Sequence, residues 1–183
     1  VKISQNVAIL IDGNNIERGI KDYFGREYLP NFDLIIPEIL KGRSLKRLIY
    51  FKEGKDAISE KLATRLKNKF FGEVVPCFKS ADIPLTINAV QLAEHTDCIV
   101  IVSGDSDYMS LLEWLQQKGI RSEVASTKRS MAKILKEQAV NYFIIRKEHL
   151  WEYKPDIYKV ETGIDAKTPD AETKENKEVG NEK

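Results

Sequence analysis

Short apolar runs alternate with segments of helical period along most of this sequence, and this alternation constrains the fold more than any other feature. The apolar runs are "VAILID", "SLKRLIYFKEG", "EVVPCF", "DCIVIVSGD", "IRSEVAST" and "YFIIRK". Runs of this length suit strands that are buried on both faces. Segments between them space apolar residues for one helix face, as in Ile58, Leu62, Leu66 and Phe70. The order predicts an α/β fold, in which a parallel sheet is flanked by helices on both faces.

Residues 154–183 differ in composition from the rest of the chain, being rich in Lys, Asp and Glu and poor in large apolar side chains. Such a segment buries too little apolar surface to offset its ordering entropy. We therefore expect one domain at residues 1–153 and a charged, disordered tail at 154–183 that could recruit protein partners.

No apolar run approaches the ~20 residues that a membrane-spanning helix needs, so no membrane partner is expected. The only cysteines, Cys77 and Cys98, both fall in predicted strand regions. Buried, reduced thiols are typical of cytoplasmic proteins, which is the location we expect.

Carboxylates follow three of the predicted strands. Asp12 ends the first strand, Asp82 follows "EVVPCF", and Asp105 and Asp107 follow "DCIVIVSG". Because the carboxyl ends of parallel strands meet at one crevice, we expect these four side chains to lie together. Crowded like charges need a raised pKa or a cation, and Mg²⁺ or Mn²⁺ prefers carboxylate and water ligands. The predicted chemistry is metal-assisted attack of water on a phosphodiester.

Other polar residues at the strand ends are candidate substrate contacts. They are Asn15, Lys79, Ser103, Ser106, Thr127, Lys128 and Arg129. Lys128 and Arg129 are the better phosphate ligands if Ser130 caps the next helix, because a helix N-terminus attracts anions. The basic stretch 41–69, opposed only by Glu53, Asp56 and Glu60, either extends a nucleic-acid track or forms a solvated helix face.

Each aspartate also has an ordinary structural explanation. Asp107 and Asp82 are candidate helix N-caps, Asp105 is a candidate turn residue, and "DGNN" could form a tight turn. Their coincidence at the ends of three strands favours a site. Zinc is not expected, because His95 and His149 lack Cys or His at ligand spacing. The sequence also lacks a glycine-rich phosphate loop.

Three segments together resemble the NYN domain, LabA-like branch, of the PIN-like nuclease superfamily. They are "AILIDGNNI", "KSADIPLTINAVQLA" and "CIVIVSGDSDYMSLLEWLQQKGIRSEVAS", and the likeness spans roughly residues 5–147. The resemblance implies a Rossmannoid three-layer sandwich with an acidic Mg²⁺ or Mn²⁺ centre that cleaves RNA. It matches Asp12, followed by Asn15, to the family's first-strand acid. It matches Asp82 to the "K-G-x-D" acid, and Asp105 and Asp107 to those of "S-G-D-S-D".

Two positions depart from the family pattern. Ser80 replaces a Gly, and Asn88 replaces an acid that commonly lies six residues after Asp82. Loss of that charge should weaken a second metal more than a first. We therefore expect one metal at Asp12, Asp82 and Asp105, with Asp107 contacting it directly or through water.

The leading expectation is a metal-dependent endoribonuclease that hydrolyses single-stranded RNA. The alternatives are a non-catalytic RNA-binding or regulatory module on the same fold, and a scaffold that acts through its tail. RNA is the expected partner, and a homodimer is compatible with the sequence.

Overall fold

The computed structural model describes residues 4–54 and 58–153. In chain order its strands are β1 (Asn6–Asp12), β2 (Tyr28–Pro30), β3 (Ser44–Glu53), β4 (Glu73–Cys77), β5 (Cys98–Val102), β6 (Arg121–Thr127), β7 (Asn141–Ile145) and β8 (Leu150–Glu152). The helices are α1 (Gly13–Phe24), α2 (Phe32–Leu40), α3 (Glu60–Phe70), α4 (Asp82–Leu92), α5 (Met109–Gln117) and α6 (Lys133–Gln138). Short 3-10 turns lie at Ser106–Tyr108 and Lys147–His149.

Six parallel strands form the main sheet in the order β4-β3-β1-β5-β6-β7. This is the strand order of a Rossmann-type doubly wound sheet. From β1 the chain first adds β3 and β4 on one side and then adds β5, β6 and β7 on the other, so the strand order reverses at β1. Ile11 of β1 pairs with Val102 of β5, and Asp12 pairs with Phe51 of β3. The sheet therefore has its switch point between β1 and β5, and the predicted α/β fold class is confirmed.

Each face of the sheet carries its own apolar core. Side chains of β1 alternate between the two cores: Val7, Ile9 and Ile11 belong to one, and Ala8 and Leu10 to the other. The first core is closed by α1, α2 and α3, and the second by α4, α5 and α6. Because both faces are covered, every one of these β1 side chains is fully buried. The result is the expected three-layer arrangement.

A small antiparallel sheet of β2 and β8 was not predicted. Each strand has three residues, too few for an apolar period to stand out from the sequence. The two segments lie far apart in the chain, at Tyr28–Pro30 and Leu150–Glu152. Only the folding of the domain brings them together.

The expectation that Ser130 caps the last helix is wrong. The N-cap of α6 is Ala132. Ser130 instead donates its backbone N–H to Oγ1 of Thr127, at 3.2 Å, so it closes the turn after β6. Lys128 and Arg129 therefore lie in an exposed turn and not at a helix N-terminus.

The expectations about the tail and about membrane-spanning helices can be compared only with the described residues. The tail at 154–183, with the partners it was expected to recruit, lies outside the described residues. Within 4–54 and 58–153, no helix combines the length and the apolar character that crossing a bilayer requires.

Candidate active site

Asp12 lies at the switch point, as the last residue of β1 and the N-cap of α1. Its Oδ1 accepts a hydrogen bond from the backbone N–H of Asn15 at 3.0 Å. Its Oδ2 accepts from the hydroxyl of Tyr108 at 3.2 Å and from that of Ser103 at 3.4 Å. These donors fix the orientation of a carboxylate that is almost completely buried.

Burial raises the pKa of Asp12 above its usual value, because desolvation disfavours the charged form. The Asn15 amide and the Tyr108 hydroxyl act in the opposite direction, and the nearby charges of Glu53 and Asp82 raise the pKa further. The carboxylate is thus held in a place where negative charge is unfavourable. A bound cation would relieve this.

The loop that carries Asp105 is tied to the same residues. Ser103, fully buried, accepts a hydrogen bond on its Oγ from the Asp105 N–H at 3.2 Å. Oδ1 of Asn15 accepts from the N–H of Gly104 at 3.0 Å. Asp105 in turn caps the following 3-10 turn by accepting from the Asp107 N–H at 3.2 Å. Asp105 is therefore positioned from both α1 and β5.

Gly104 is required in this loop by a close approach of two backbones. A Cβ at Gly104 would lie 2.2 Å from the carbonyl oxygen of Ser130, a backbone atom that cannot swing aside. The N–H of Ala132 donates to the Gly104 carbonyl at 3.0 Å, so the two segments are also bonded. Any larger residue would force the Asp105 loop and the turn after β6 apart.

Asp82 and Glu53 come from the other side of the pocket. Asp82 is the first residue of α4, and its N–H donates to Oγ of Ser80 at 3.1 Å while the Ser80 hydroxyl contacts its carboxylate. Ser80 therefore orients Asp82. Glu53 ends β3 and accepts on Oε1 from the N–H of Ala81 at 2.8 Å, which ties β3 to the start of α4.

Asp12, Glu53, Asp82 and Asp105 line one pocket of about 850 Å³ at the carboxyl edge of the sheet. Cations line it too: Arg18, Lys21 and Arg26 on or next to α1, and Lys52 of β3. The acids Glu17 and Asp22 also line it, so the pocket mixes carboxylates with basic side chains.

The donor set has the chemistry of a site for a hard divalent cation, since its ligands are carboxylate oxygens. In the described part of the chain, however, no three Asp, Glu, His or Cys side chains converge closely enough to hold one ion between them. Mg²⁺ commonly keeps several waters and binds one or two carboxylates directly. These residues therefore fit a hydrated ion, with the remaining carboxylates contacting it through water.

Not every predicted site residue lines this pocket. Asn15 does, and Ser106 lines a smaller pocket alongside it that is also bordered by Asp105 and Asn15. Asp107 is exposed and is not part of the lining, although the sequence grouped it with the metal ligands. Thr127 is fully buried and hydrogen-bonded to Ser130, so it cannot contact a substrate as predicted.

The predicted cations at the strand ends lie further out. Lys79, Lys128 and Arg129 are exposed in the turns after β4 and β6, outside the lining of the acidic pocket.

The basic stretch 41–69 is not a continuous track. Many of its cations pair with acids: Arg43 with Glu123, Arg47 with Glu73, Lys52 with Glu17, and Arg65 and Lys69 with Asp33. Their charge is offset within the fold, which favours the structural alternative for most of this stretch.

Several residues of the site were not predicted. Glu53 ends a strand, so the rule that selected the other acids also applied to it, and its position at the end of "SLKRLIYFKE" was the available signal. Tyr108 gave no such signal, because only the fold brings its hydroxyl to Asp12. Arg18 and Lys21 are spaced for one helix face, but the sequence did not indicate which face meets the pocket.

A family model described as the NYN domain matches residues 6–149 of the chain. No curated protein matches it. Among solved structures, the chain is similar to VPA0982, a protein of unknown function from Vibrio parahaemolyticus. That pair has 17% identity and a TM-score of 0.72, and covers 82% of this chain and 99% of the other.

The nicotinamidase SaPncA from Staphylococcus aureus aligns over 74% of this chain and 89% of its own, with 8% identity and a TM-score of 0.38. The second likeness is too weak to support an argument, and the first concerns the fold alone. The NYN domain is a nuclease-like PIN fold, and this chain belongs to the NYN domain family.

Proposed function

We propose that this protein is a metal-dependent endoribonuclease of the LabA-like branch, which hydrolyses phosphodiester bonds of single-stranded RNA in the cytoplasm. The observation that supports it is the convergence of Asp12, Glu53, Asp82 and Asp105 on one pocket at the switch point of the sheet. Ligands of doubly wound folds bind at that point.

Asp12, Asp82 and Asp105 would hold Mg²⁺ or Mn²⁺, either directly or through its waters. The ion would supply an activated water and offset charge on the phosphate under attack. The chain's own groups position these ligands. Tyr108 and Ser103 fix the Asp12 carboxylate, and Ser80 fixes that of Asp82.

The walls of the pocket would bind the substrate backbone. Arg18, Lys21 and Arg26 face the same cavity as the acids, so they can contact phosphates next to the scissile one. Lys79 and Lys128, further out, would contact flanking phosphates. Phosphate contacts of this kind supply most nucleic-acid affinity and weaken as salt is added.

The test compares two aspartates that lie two positions apart. Purified wild type, Asp105→Asn and Asp107→Asn are incubated with a mixed single-stranded RNA pool, with Mn²⁺ and with chelator. Wild type should cleave only with Mn²⁺. Asp105→Asn should lose about 100-fold or more in rate, because a metal ligand supports several kcal/mol of transition-state stabilisation.

Asp107→Asn is the matched control, since Asp107 is exposed outside the pocket and should be dispensable. Asn at position 105 can still accept the Asp107 N–H, and the side chain of Asp107 caps no helix, so both variants should unfold at wild-type temperature. Normal cleavage by Asp105→Asn, or equal loss in both variants, would contradict the assignment of the site.

A second candidate function is a non-catalytic RNA-binding module. It is favoured by the spacing of the acids, because no three metal-ligating side chains of the described residues converge on one point. Such a protein would bind RNA equally well in chelator and would give no product with Mn²⁺. The same experiment therefore separates the two candidates. The homodimer and the tail partners stay predictions.

A further inference from the structure

A second pocket, of about 480 Å³, adjoins the acidic pocket. Its apolar lining includes Leu29, Phe32, Leu62 and Trp151, and Lys61 and Arg65 stand at its border. We call it the Trp151 groove. Its volume lies in the range of small-molecule sites and is ample for one planar ring.

The Trp151 groove and the acidic pocket share part of their lining. Glu17 and Lys52 line both. They form the shared wall, in which Nζ of Lys52 contacts Oε2 of Glu17 at 2.7 Å and the Tyr50 hydroxyl donates to Oε1 at 2.6 Å. A ligand in the acidic pocket that extends past Glu17 and Lys52 therefore meets the groove.

Trp151 is the exposed aromatic of the groove. It lies on β8, paired with Leu29 of β2, and 49% of the residue is accessible, as is 43% of Leu29. Exposure of two large apolar neighbours is costly in water and is typical of a binding surface. An amphipathic indole on a short, paired strand offers a rigid platform for stacking.

A cation lies over one face of this platform. The Arg65 guanidinium carbon lies 5.4 Å from the centroid of the Trp151 ring. Its Nε donates to Oδ2 of Asp33 at 3.0 Å, and Nζ of Lys69 contacts the same oxygen at 2.8 Å. Arg65 is thus fixed in place from α2. An aromatic ring next to ordered cations is how proteins bind bases of single strands.

We propose that the Trp151 groove binds one unpaired nucleobase of an RNA strand whose backbone enters the acidic pocket. The base stacks on the face of Trp151 that Arg65 does not cover, and Lys61 at the border of the groove contacts a neighbouring phosphate. This inference rests on the proposed function, because that function is what identifies the ligand as RNA. It also explains a preference for single strands, because a base inside a duplex cannot enter the groove.

Trp151 can report its own contacts. The chain has two tryptophans, and Trp114 lies on α5 against the opposite core. In the full-length Trp114→Phe variant, Trp151 is therefore the sole indole. A short oligouridylate RNA is titrated in chelator, which stops cleavage, beside an abasic RNA of the same length. Stacking predicts saturable quenching by the first and little by the second.

Affinity variants test the same contact without fluorescence. Trp151→Ala should weaken binding of the oligouridylate about tenfold, with no change for the abasic strand. Trp151→Phe should restore most of the loss. Tyr153→Ala is the matched control, since Tyr153 is an exposed aromatic two positions away that does not line the groove. Unfolding temperatures of all variants are measured alongside.

Three results would overturn the inference. One is equal binding and equal quenching by the two RNAs. Another is emission that shifts with protein concentration before RNA is added, which would place a second copy of the chain on the groove. The third is the blue-shifted emission of a covered indole that neither RNA nor dilution changes, which would assign the groove to residues 154–183 of this chain.

The two proposals fail separately. Cleavage with Mn²⁺ but no base-dependent quenching would reject the groove and leave the nuclease. Base-dependent quenching with a tenfold loss in Trp151→Ala, but no cleavage with any divalent ion, would reject the nuclease and support the groove in an RNA-binding module.

Discussion

At the scale of single residues, Asp12 combines a structural and a chemical role. Its carboxylate caps α1 through the Asn15 N–H, and it accepts two further hydrogen bonds while almost completely buried. The cap would be served equally well by Asn, which ranks with Asp at this position. The cap alone therefore does not require the negative charge, which supports a role for that charge in binding a cation.

Replacing that charge should stabilise the protein when no metal is present. Because the pKa of Asp12 is raised in the fold, ionising it costs stability as pH rises above the unfolded value of 3.8. Asp12→Asn should therefore unfold at a higher temperature than wild type in chelator. The difference should be small near pH 4 and larger at pH 7, as measured by thermal unfolding.

The same variant should lose RNA cleavage with Mn²⁺. Asp22→Asn serves as control, since Asp22 lies on the exposed face of α1 at the pocket wall and should leave the pH dependence unchanged. An Asp12→Asn protein that is less stable than wild type at pH 7 in chelator would contradict the electrostatic account.

Single residues also show what could not be predicted from the sequence, namely which side chains at strand ends face the site. The acids at strand ends were found because a strand's end can be read from its apolar run. Thr127 was selected by the same rule and lies fully buried, because the turn after β6 folds back and Ser130 bonds to it. Whether a side chain at a strand end faces the crevice or the core depends on the turn that follows.

At the scale of elements, Arg43 ties α2 to the sheet. Its Nη1 and Nη2 each donate to a Glu123 carboxylate oxygen at 2.9 Å. Nη2 also donates to the carbonyl of Ile39 at 2.8 Å, and Nε to that of Leu40 at 3.0 Å. The end of α2 is thereby joined to β6, at the edge of the sheet opposite the acidic pocket.

Breaking this link should be costly for stability. Arg43→Met should lower the free energy of unfolding by about 3 kcal/mol, because it leaves Glu123 buried with only Arg121 as partner. The exposed pair of Arg47 with Glu73 provides the contrast, and Arg47→Met should cost less than about 1 kcal/mol. Urea unfolding measures both.

The two arginines lie four positions apart, Arg43 just before β3 and Arg47 within it, so the comparison contrasts a buried network with an exposed pair. Equal losses in the two variants would mean that the buried network contributes no more than a surface pair. Cleavage per folded molecule should be unchanged in both, since each pair is remote from the lining of the acidic pocket.

At the scale of the whole molecule, strand order decides which residues meet. The central position of β1 places Asp12 between the ends of β3 and β5, so Glu53 and Asp105 approach it from either side. Basic side chains of α1 then close the same cavity. The folded domain therefore carries an electrostatic strain at one edge that a divalent cation would relieve.

Binding of that cation should raise the stability of the entire domain. At a Mn²⁺ concentration about 100 times the dissociation constant, the gain is about 2.7 kcal/mol, or roughly 5–10 °C in unfolding temperature for a domain of this size. The measurement is thermal unfolding of wild type and Asp12→Asn across a Mn²⁺ series. Sodium chloride at equal ionic strength controls for screening. The site assignment would be wrong if both proteins responded equally to Mn²⁺.

The sequence by itself determined the layers of this protein and most of the acids of its site. Apolar runs buried on both faces specify a parallel sheet, and side chains just after such runs lie at its carboxyl edge, so Asp12, Asp82 and Asp105 could be named in advance. Those signals are local, because the spacing of apolar residues and the composition of a segment can be read from a few consecutive residues.

Only the tertiary structure decided the rest. It brought Tyr108 to Asp12, turned α1 so that Arg18 and Lys21 face the acids, left Asp107 outside, and joined β2 to β8 so that Trp151 borders a groove. Each of these contacts joins segments distant in the chain, and its geometry depends on strand order, helix rotation and turn shape. Those are set by packing of the complete domain, which no local pattern encodes.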